Sequence, residues 1–292
     1  MIEARSATPS IVSDFVELTK PRLTLLAVLT TLVSFYLGSQ PLALLRLLHT
    51  LVGTAMMGAG AAALNHVLER DVDGRMWRTR HRPLPARRIA LRDAACFGAV
   101  LAASGILYLW VMVNPLTGLL GLVAVTTYVA VYTPLKTRTA LCTVVGAVPG
   151  ALPCMMGWTA ARGYIGEEGL VLFAILFMWQ LPHFLAIAWM YREDYARAGL
   201  PMLPVIEPDG ASTIRQILIW TLTLLPISMM PSLLGLTGPV YFVLAFVLGL
   251  GFLAAGVNLA MRPSRVSARA VLLTSVIYLP LLQVALLLCK VP

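Results

Sequence analysis

Residues 47–83 read LLHTLVGTAMMGAGAAALNHVLERDVDGRMWRTRHRP. The run Leu47–Leu68 carries no Asp, Glu, Lys or Arg. Three acids then fall close together, Glu69, Asp71 and Asp73, followed by Arg75, Arg78, Arg80 and Arg82. An apolar run of about 20 residues is long enough to cross the hydrocarbon core of a bilayer as a helix. One stretch therefore holds a membrane span and, directly at its end, the densest mixture of both charge signs in the chain.

The first half of that pattern recurs. Further charge-free runs are Leu23–Leu45, Ala94–Leu135, Thr139–Ala161, Gly169–Tyr191, Gln216–Met261 and Ala270–Cys289. Two of them are double length and break at Asn114-Pro115 and at Gly235-Leu236-Thr237-Gly238-Pro239, where Asn, Gly and Pro mark turns. The expected fold class is an all-α polytopic membrane protein with nine transmembrane helices. Composition agrees: 59% of the 292 residues are hydrophobic and 12% charged, and mean hydropathy is +0.84, whereas soluble domains are about 25% charged.

Nine crossings place the termini on opposite sides. With the N-terminus cytoplasmic, every one of the 22 Lys and Arg residues except Arg46, Arg162 and Lys290 falls on the cytoplasmic side. That asymmetry is the positive-inside pattern, so the expectation is N-terminus in and C-terminus out. It also explains the net charge of +9 without a nucleic-acid partner. Only Glu167 and Glu168 among the acids lie on the outer side, and none lies in mid-membrane. A charge there costs about 2.5–3.5 kcal/mol on insertion scales and marks proton-driven transport, so its absence argues against a transporter.

Residues 1–20 mix Glu3, Arg5, Asp14, Glu17 and Lys20 without the apolar core of a signal peptide, and read as a cytoplasmic segment. Residues 21–292 read as one transmembrane domain with catalytic loops at about residues 69–92 and 192–215. The lack of a transit-like start favours a bacterial inner (plasma) membrane over the alternative, a mitochondrial inner membrane. Cys96, Cys142, Cys154 and Cys289 fall in apolar runs without metal-ligand spacing and read as small core residues.

Asn65, Glu69 and Asp73 are spaced i, i+4, i+8, along one helical face, rising about 6 Å per step. Magnesium is held by one or two carboxylates with phosphates and water completing its shell, which suits this stripe to a metal-bound diphosphate. Asp71 points elsewhere on an ideal helix and joins only if the helix ends at Gly74. Arg75, Arg78, Arg82, Lys136 and Arg138 are candidates for the phosphate oxygens. The bland alternatives are that the acids only neutralise neighbouring arginines and that the arginines only follow the positive-inside rule. Arg78 and Arg82, four apart and nearest the acids, rank first.

A second acid pair, Glu193-Asp194, closes the sixth span as a candidate for a second magnesium ion on the same diphosphate, with Tyr191 and Arg192 as added donors. His183 lies in the charge-free run before it, eleven residues from Asp194. That is three turns of a continuous helix, on the same face and about 16 Å away. A polar residue so deep is a site candidate, for acceptor contact, axial ligation of a haem iron or proton handling, against an inter-helix hydrogen bond. His49, His66 and His81 receive no role. Tyr128, Tyr132, Trp158, Phe177, Trp179, Phe184 and Trp189 read mostly as packing or belt residues, some of them lining a chamber suited to a carbocation.

Six segments in order resemble the UbiA superfamily of intramembrane prenyltransferases, and within it the haem-farnesylating branch. They are LTKPR (18–22), NHVLERDVDGRMWRTRHRPLP (65–85), YTPLKTRT (132–139), VVGAVPGALP (144–153), WQLPHF (179–184) and YREDYARAGLPMLPV (191–205). The resemblance implies nine helices around a central cavity and two acidic motifs that bind diphosphate through Mg2+. The first motif, N-D-x-x-D-x-x-x-D, falls on Asn65, His66, Glu69 and Asp73, with His for the first Asp and Glu for the second. The second has two Asp four apart; Asp194 matches one, Ala198 occupies the other, and a second metal needs Glu193 to substitute.

The reaction implied is farnesyl transfer from farnesyl diphosphate to a vinyl group of haem B with water addition, giving haem O for terminal oxidases. Asp73, Asp194 and His183 are then the catalytic candidates, with His183 on the haem side. Implied partners are the bilayer and haem A synthase or terminal-oxidase assembly. The competing expectations are a prenyltransferase of quinone or chlorophyll biosynthesis, a transporter on the same helices, a CDP-alcohol phosphatidyltransferase and a non-catalytic oxidase assembly factor. The phosphatidyltransferase pattern D-G-x-x-A-R fails at Asp73-Gly74-Arg75-Met76-Trp77-Arg78.

Overall fold

The computed structural model describes residues 10–291. Arg5 and the first nine residues of the N-terminal segment lie outside that range. A short helix α1 (Ile11–Leu18) precedes α2 (Pro21–Gly38), α3 (Leu44–Arg75), α4 (Leu91–Met112) and α5 (Pro115–Thr126). The chain continues from α5 through a π-helical turn, Thr127–Tyr132, into α6 (Thr133–Leu135). Then come α7 (Cys142–Arg162), α8 (Glu167–Met190), the short α9 (Arg192–Arg197) and α10 (Leu203–Ile206), and α11 (Ala211–Leu233), α12 (Pro239–Met261) and α13 (Arg265–Leu288).

Among the described residues nine helices are long and apolar enough to cross a membrane, α5 through α6 counting as one. The chain is a multi-pass membrane protein. Leu107, Val111, Leu222, Val247 and Ile277 are exposed on the flanks of the bundle, as a lipid-facing surface requires. Both double-length runs break where expected, with Pro115 and Pro239 at the first positions of new helices.

Two boundaries differ from expectation. Helix α3 runs on through Gly74 to Arg75, so Glu69, Asp71 and Asp73 are all helical and Asp71 stays on the outer face. Helix α8 stops at Met190, and Tyr191 (φ −112, ψ 22) turns the chain into the separate α9. Asp194 therefore does not continue the His183 face, and the three-turn spacing between them does not apply.

Helices α3 and α4 pack tightly because glycines meet across them. A Cβ on Gly60 would lie 2.3 Å from the Ala102 nitrogen, and one on Gly105 would lie 2.4 Å from the Met57 nitrogen. Small residues permit such backbone approach in membranes, where packing rather than water exclusion joins helices. Gly60→Ala must push two backbones apart and is expected to destabilise the bundle by about 1–3 kcal/mol. A thermal melt in detergent checks this, with Gly251→Ala as control, since nothing lies within 4 Å of a Cβ there.

The π-helical turn widens the helix opposite α3. It brings the rings of Tyr128 and Tyr132 into a stack, centroids 5.5 Å apart and planes 15° apart, and the Thr133 hydroxyl donates to the Tyr128 carbonyl at 2.8 Å. Single π turns inside α-helices often sit at functional sites. Here the turn leads directly to Lys136, which reaches across to α3.

Candidate active site at the acidic end of the bundle

Asn65, Glu69 and Asp73 lie on one buried face of α3, as their spacing predicts. Each is met by a cation from a different segment. Lys20 donates to Asn65 Oδ1 at 2.5 Å. Lys136 Nζ pairs with Glu69 Oε1 at 2.9 Å. Arg82 Nη1 pairs with Asp73 Oδ2 at 2.7 Å. Asn65 also donates Nδ2 to the Thr133 hydroxyl at 2.9 Å, tying the stripe to the turn beyond the stacked tyrosines.

Lys20 received no role from the sequence beyond its place in LTKPR. It adopts a left-handed conformation (φ 46) immediately before Pro21, and a residue before proline is disfavoured in the right-handed helical region. That bend starts α2 and aims the ammonium at α3. Burial pushes the Lys20 ammonium down to about 8, with Arg82 and Lys136 adding to the effect and Glu69 and Asp73 opposing it. Burial also opposes the charge on Lys136, but Tyr132 and Glu69 outweigh it and hold that ammonium above its usual range.

Arg88 was likewise not singled out. It binds Asp14 at 2.9 Å and Glu17 at 3.1 Å on α1, and the His81 carbonyl at 2.7 Å. Those bonds lock the loop after α3 against α1, and so fix both Lys20 and Arg82. No local pattern pointed to this, because the partners are distant in sequence and look like ordinary cytoplasmic charges.

Three buried atoms at the stripe have no hydrogen-bond partner: Asp73 Oδ1 and both ring nitrogens of His66. Position 66 is seven residues from 73, two turns along the same face. Leaving such groups unmet costs about 1–3 kcal/mol each, so they mark a place prepared for a ligand. Among the described residues no three His, Cys, Asp or Glu side chains form a ready metal cage. One free carboxylate oxygen beside an amide and a second carboxylate nevertheless fits Mg2+, a hard cation that takes few protein ligands and fills its shell from phosphate and water.

The second acid cluster is built differently. Asp194 accepts the backbone N–H groups of Trp77 at 3.0 Å and Arg78 at 3.2 Å, and Arg197 Nη1 at 2.7 Å. Asp194 thus meets the segment after α3 through backbone amides. Burial pushes the Asp194 carboxyl up; the two amides and Arg197 more than offset this and hold it below the usual carboxylate range.

Other predicted residues stay at the surface. Asp71 is exposed and pairs with Arg70 at 2.9 Å. Glu193, Arg75 and Arg138 are exposed. Arg192 reaches the Pro208 carbonyl at 3.4 Å and lies over the Trp189 ring. Arg78 lies over the Tyr191 ring, 5.1 Å from its centroid, at the rim of the site. His183, deeper in the bundle, makes an inter-helix bond from Nδ1 to the Ser275 hydroxyl at 2.7 Å. Its ring stacks on Trp179, whose Nε1 donates to the Ser275 carbonyl at 2.8 Å.

The UbiA prenyltransferase family model matches residues 27–279. Similar chains include the protoheme IX farnesyltransferase of Solibacter usitatus (strain Ellin6076), 48% identical over 285 residues, covering 94% of this chain and 98% of that one. The protein of the same description from Koribacter versatilis (strain Ellin345) is 44% identical over 295 residues, covering 97% and 95%. In fold, the chain superposes on digeranylgeranylglyceryl phosphate synthase with TM-score 0.81 at 16% identity, covering 95% and 98%. It also superposes on a UbiA homologue from Archaeoglobus fulgidus bound to GPP and Mg2+, with TM-score 0.70 at 18% identity, covering 94% and 99%. The match spans most of the sequence and takes in the acid stripe of α3 with Arg82 and Lys136, while Lys20 precedes it: the chain belongs to the UbiA prenyltransferase family.

Proposed function

We propose that this protein transfers the farnesyl group of farnesyl diphosphate to a vinyl side chain of haem B, with addition of water, giving haem O. The observation that carries the reading is the buried stripe of α3, where three cations from separate segments surround two carboxylates and the unmet Asp73 and His66 atoms. The acceptor is supported by relatives described as protoheme IX farnesyltransferases at up to 48% identity across nearly their whole length.

Lys20, Arg82 and Lys136 bind the diphosphate oxygens, trading their present carboxylate and amide partners for phosphate, to which Arg forks and Lys ammonium groups are well matched. Asn65, Glu69 and Asp73 would hold Mg2+, which supplies the positive charge that stabilises diphosphate as a leaving group. The C1–O bond of the farnesyl ester breaks and its electron pair leaves with diphosphate. The vinyl π electrons of haem B form the new bond to C1, which places a cation on the carbon next to the porphyrin. Water adds there and loses a proton. The stacked rings of Tyr128 and Tyr132 offer π faces to the allylic cation, and the apolar bundle withholds water from it until the carbon–carbon bond has formed. His183 serves the haem side: the Nδ1 contact with Ser275 fixes the ring and leaves Nε2 for the acceptor.

Residues 21–292 act as one catalytic domain, with the loops at residues 69–92 and 192–215 at its active end. That end faces the cytoplasm across the cell inner membrane, a reading supported by the Lys and Arg asymmetry and by bacterial relatives. The product suits delivery to haem A synthase or to terminal-oxidase assembly.

Purified protein given farnesyl diphosphate, Mg2+ and a choice of haem B or a hydroxybenzoate or naphthoate acceptor tests the acceptor. Farnesylated haem is expected; product only with an aromatic acid moves the protein to quinone synthesis. His183→Ala is expected to leave diphosphate binding intact and lower haem-dependent turnover about tenfold or more, a loss of about 1.4 kcal/mol in transition-state binding. Equal loss of diphosphate binding would place His183 at the other substrate.

A further inference from the structure

The acid pair at α9 stands where a second metal ion was expected, and its geometry differs from that of a metal site. A carboxylate offers about four lone-pair positions. Asp194 Oδ1 already takes the Trp77 amide and Arg197, and Oδ2 takes the Arg78 amide. Two of these donors are fixed in the backbone. The third is the Arg197 guanidinium; the stripe acids also pair with cations, so it is the two backbone amides that set Asp194 apart from them. The neighbourhood supplies little else: Glu193 is exposed, and Ala198, one turn on, is buried and has no oxygen to offer.

Those bonds instead join α9 to the turn that follows α3. Trp77 is the centre of the turn, with Arg80 3.6 Å above its ring and Arg197 5.4 Å from it. Arg78 and Arg82 hang from the same segment, and Arg82 closes on Asp73. Asp194 therefore sets where this arginine segment sits over the stripe.

Charge gives an independent argument. Lys20, Arg82 and Lys136 outnumber Glu69 and Asp73, so the stripe carries surplus positive charge. A prenyl diphosphate with one divalent ion bound remains an anion and complements it. A second divalent ion would have to be balanced by the exposed Glu193 and by Asp194, which is already bonded to three donors.

We propose that the site works with a single metal ion, held on the α3 stripe, and that Asp194 is a positioning residue which clasps the arginine segment rather than a ligand of a second ion. This rests on the reading of the stripe as a diphosphate site.

The test uses the full chain in detergent, inorganic diphosphate as probe and Mn2+ in place of Mg2+. Bound Mn2+ per chain is counted by electron paramagnetic resonance, and amide exchange at residues 76–80 is followed by mass spectrometry. One diphosphate-dependent ion is expected in the wild type. Asp194→Asn and Asp194→Ala should both keep it with affinity within about twofold. In Asp194→Ala the Trp77 and Arg78 amides should exchange about tenfold faster and KM for farnesyl diphosphate should rise about tenfold with kcat little changed, each tenfold being about 1.4 kcal/mol. Asp194→Asn keeps one acceptor oxygen, enough for one of the two N–H groups, and should fall between wild type and Asp194→Ala in both.

Two ions in the wild type, one of them lost in Asp194→Asn, would overturn the inference alone. So would an Asp194→Asn protein that loses kcat outright while its amide exchange stays at the wild-type rate. A wild type that binds no ion with diphosphate would sink the diphosphate reading and this inference with it. Should Asp194→Ala fail to fold, the ion count and the exchange of wild type and Asp194→Asn decide the matter.

Discussion

Asp73→Ala is expected to lower farnesyl transfer by at least about a hundredfold, the scale on which a single group that stabilises leaving charge contributes. Asp73 is the one stripe residue with both a cation partner and an unmet buried oxygen: Oδ2 holds Arg82 and Oδ1 holds nothing. On the proposed reading, removing the carboxylate takes away a magnesium ligand and frees the Arg82 guanidinium that it holds. Metal-dependent binding of inorganic diphosphate should fall with turnover. The substitution also leaves Arg82 unpaired, which lowers stability as well. Asp73→Asn separates the two, because it preserves shape and one acceptor for Arg82 yet removes the charge. Turnover should stay near the Ala level while the melting midpoint returns toward wild type. An active Asp73→Asn protein would remove Asp73 from the metal site.

The second large effect concerns Lys136. Its ion pair with Glu69 is largely buried, the side chains 15% and 7% exposed. Deleting one partner of a buried pair typically costs about 3–5 kcal/mol, because the other charge is left in a poor dielectric. Lys136→Met is therefore expected to destabilise the bundle by about 3 kcal/mol and to abolish diphosphate binding. The double variant Lys136→Met/Glu69→Gln removes the stranded charge and should recover most of the stability, since replacing both partners of a buried pair is often close to neutral. It should not recover diphosphate binding. If the double variant regains both, Lys136 serves only to neutralise Glu69.

How much of this was readable beforehand follows from the range of each interaction. The nine spans are a local property of apolar runs broken by Asn, Gly and Pro, and they emerged as expected. The common buried face of Asn65, Glu69 and Asp73 is set by helical spacing alone, and it too followed from three positions. Contacts between helices were another matter. Lys20 meets Asn65 across 45 residues, Lys136 meets Glu69 across 67, and His183 meets Ser275 across 92. No periodicity encodes such pairings; they depend on how the helices pack.

Residues 190–194 show a different limit. No Pro or Gly marks the break at Tyr191, so Asp194 read as a continuation of the sixth span. The break puts it beside the backbone of Trp77 and Arg78, a partner that side-chain patterns cannot reveal. The π-helical turn before Lys136 is equally silent in sequence, although it stacks Tyr128 on Tyr132 beside the stripe. His66 escaped for a subtler reason. It occupies a motif position normally given to a carboxylate in the resemblance, and its burial without a hydrogen-bond partner for either ring nitrogen is visible only in the structure.

The proposed reaction joins two events at one site, carbon–carbon bond formation at the haem vinyl group and capture of the resulting cation by water. A single measurement addresses both: the mass of the haem product formed from farnesyl diphosphate, Mg2+ and haem B in water enriched in oxygen-18. The expected product is haem B plus one farnesyl group and one hydroxyl, with the hydroxyl oxygen carrying the heavy isotope. Haem recovered unchanged while farnesyl diphosphate is consumed, or a farnesylated haem without solvent oxygen, would contradict it.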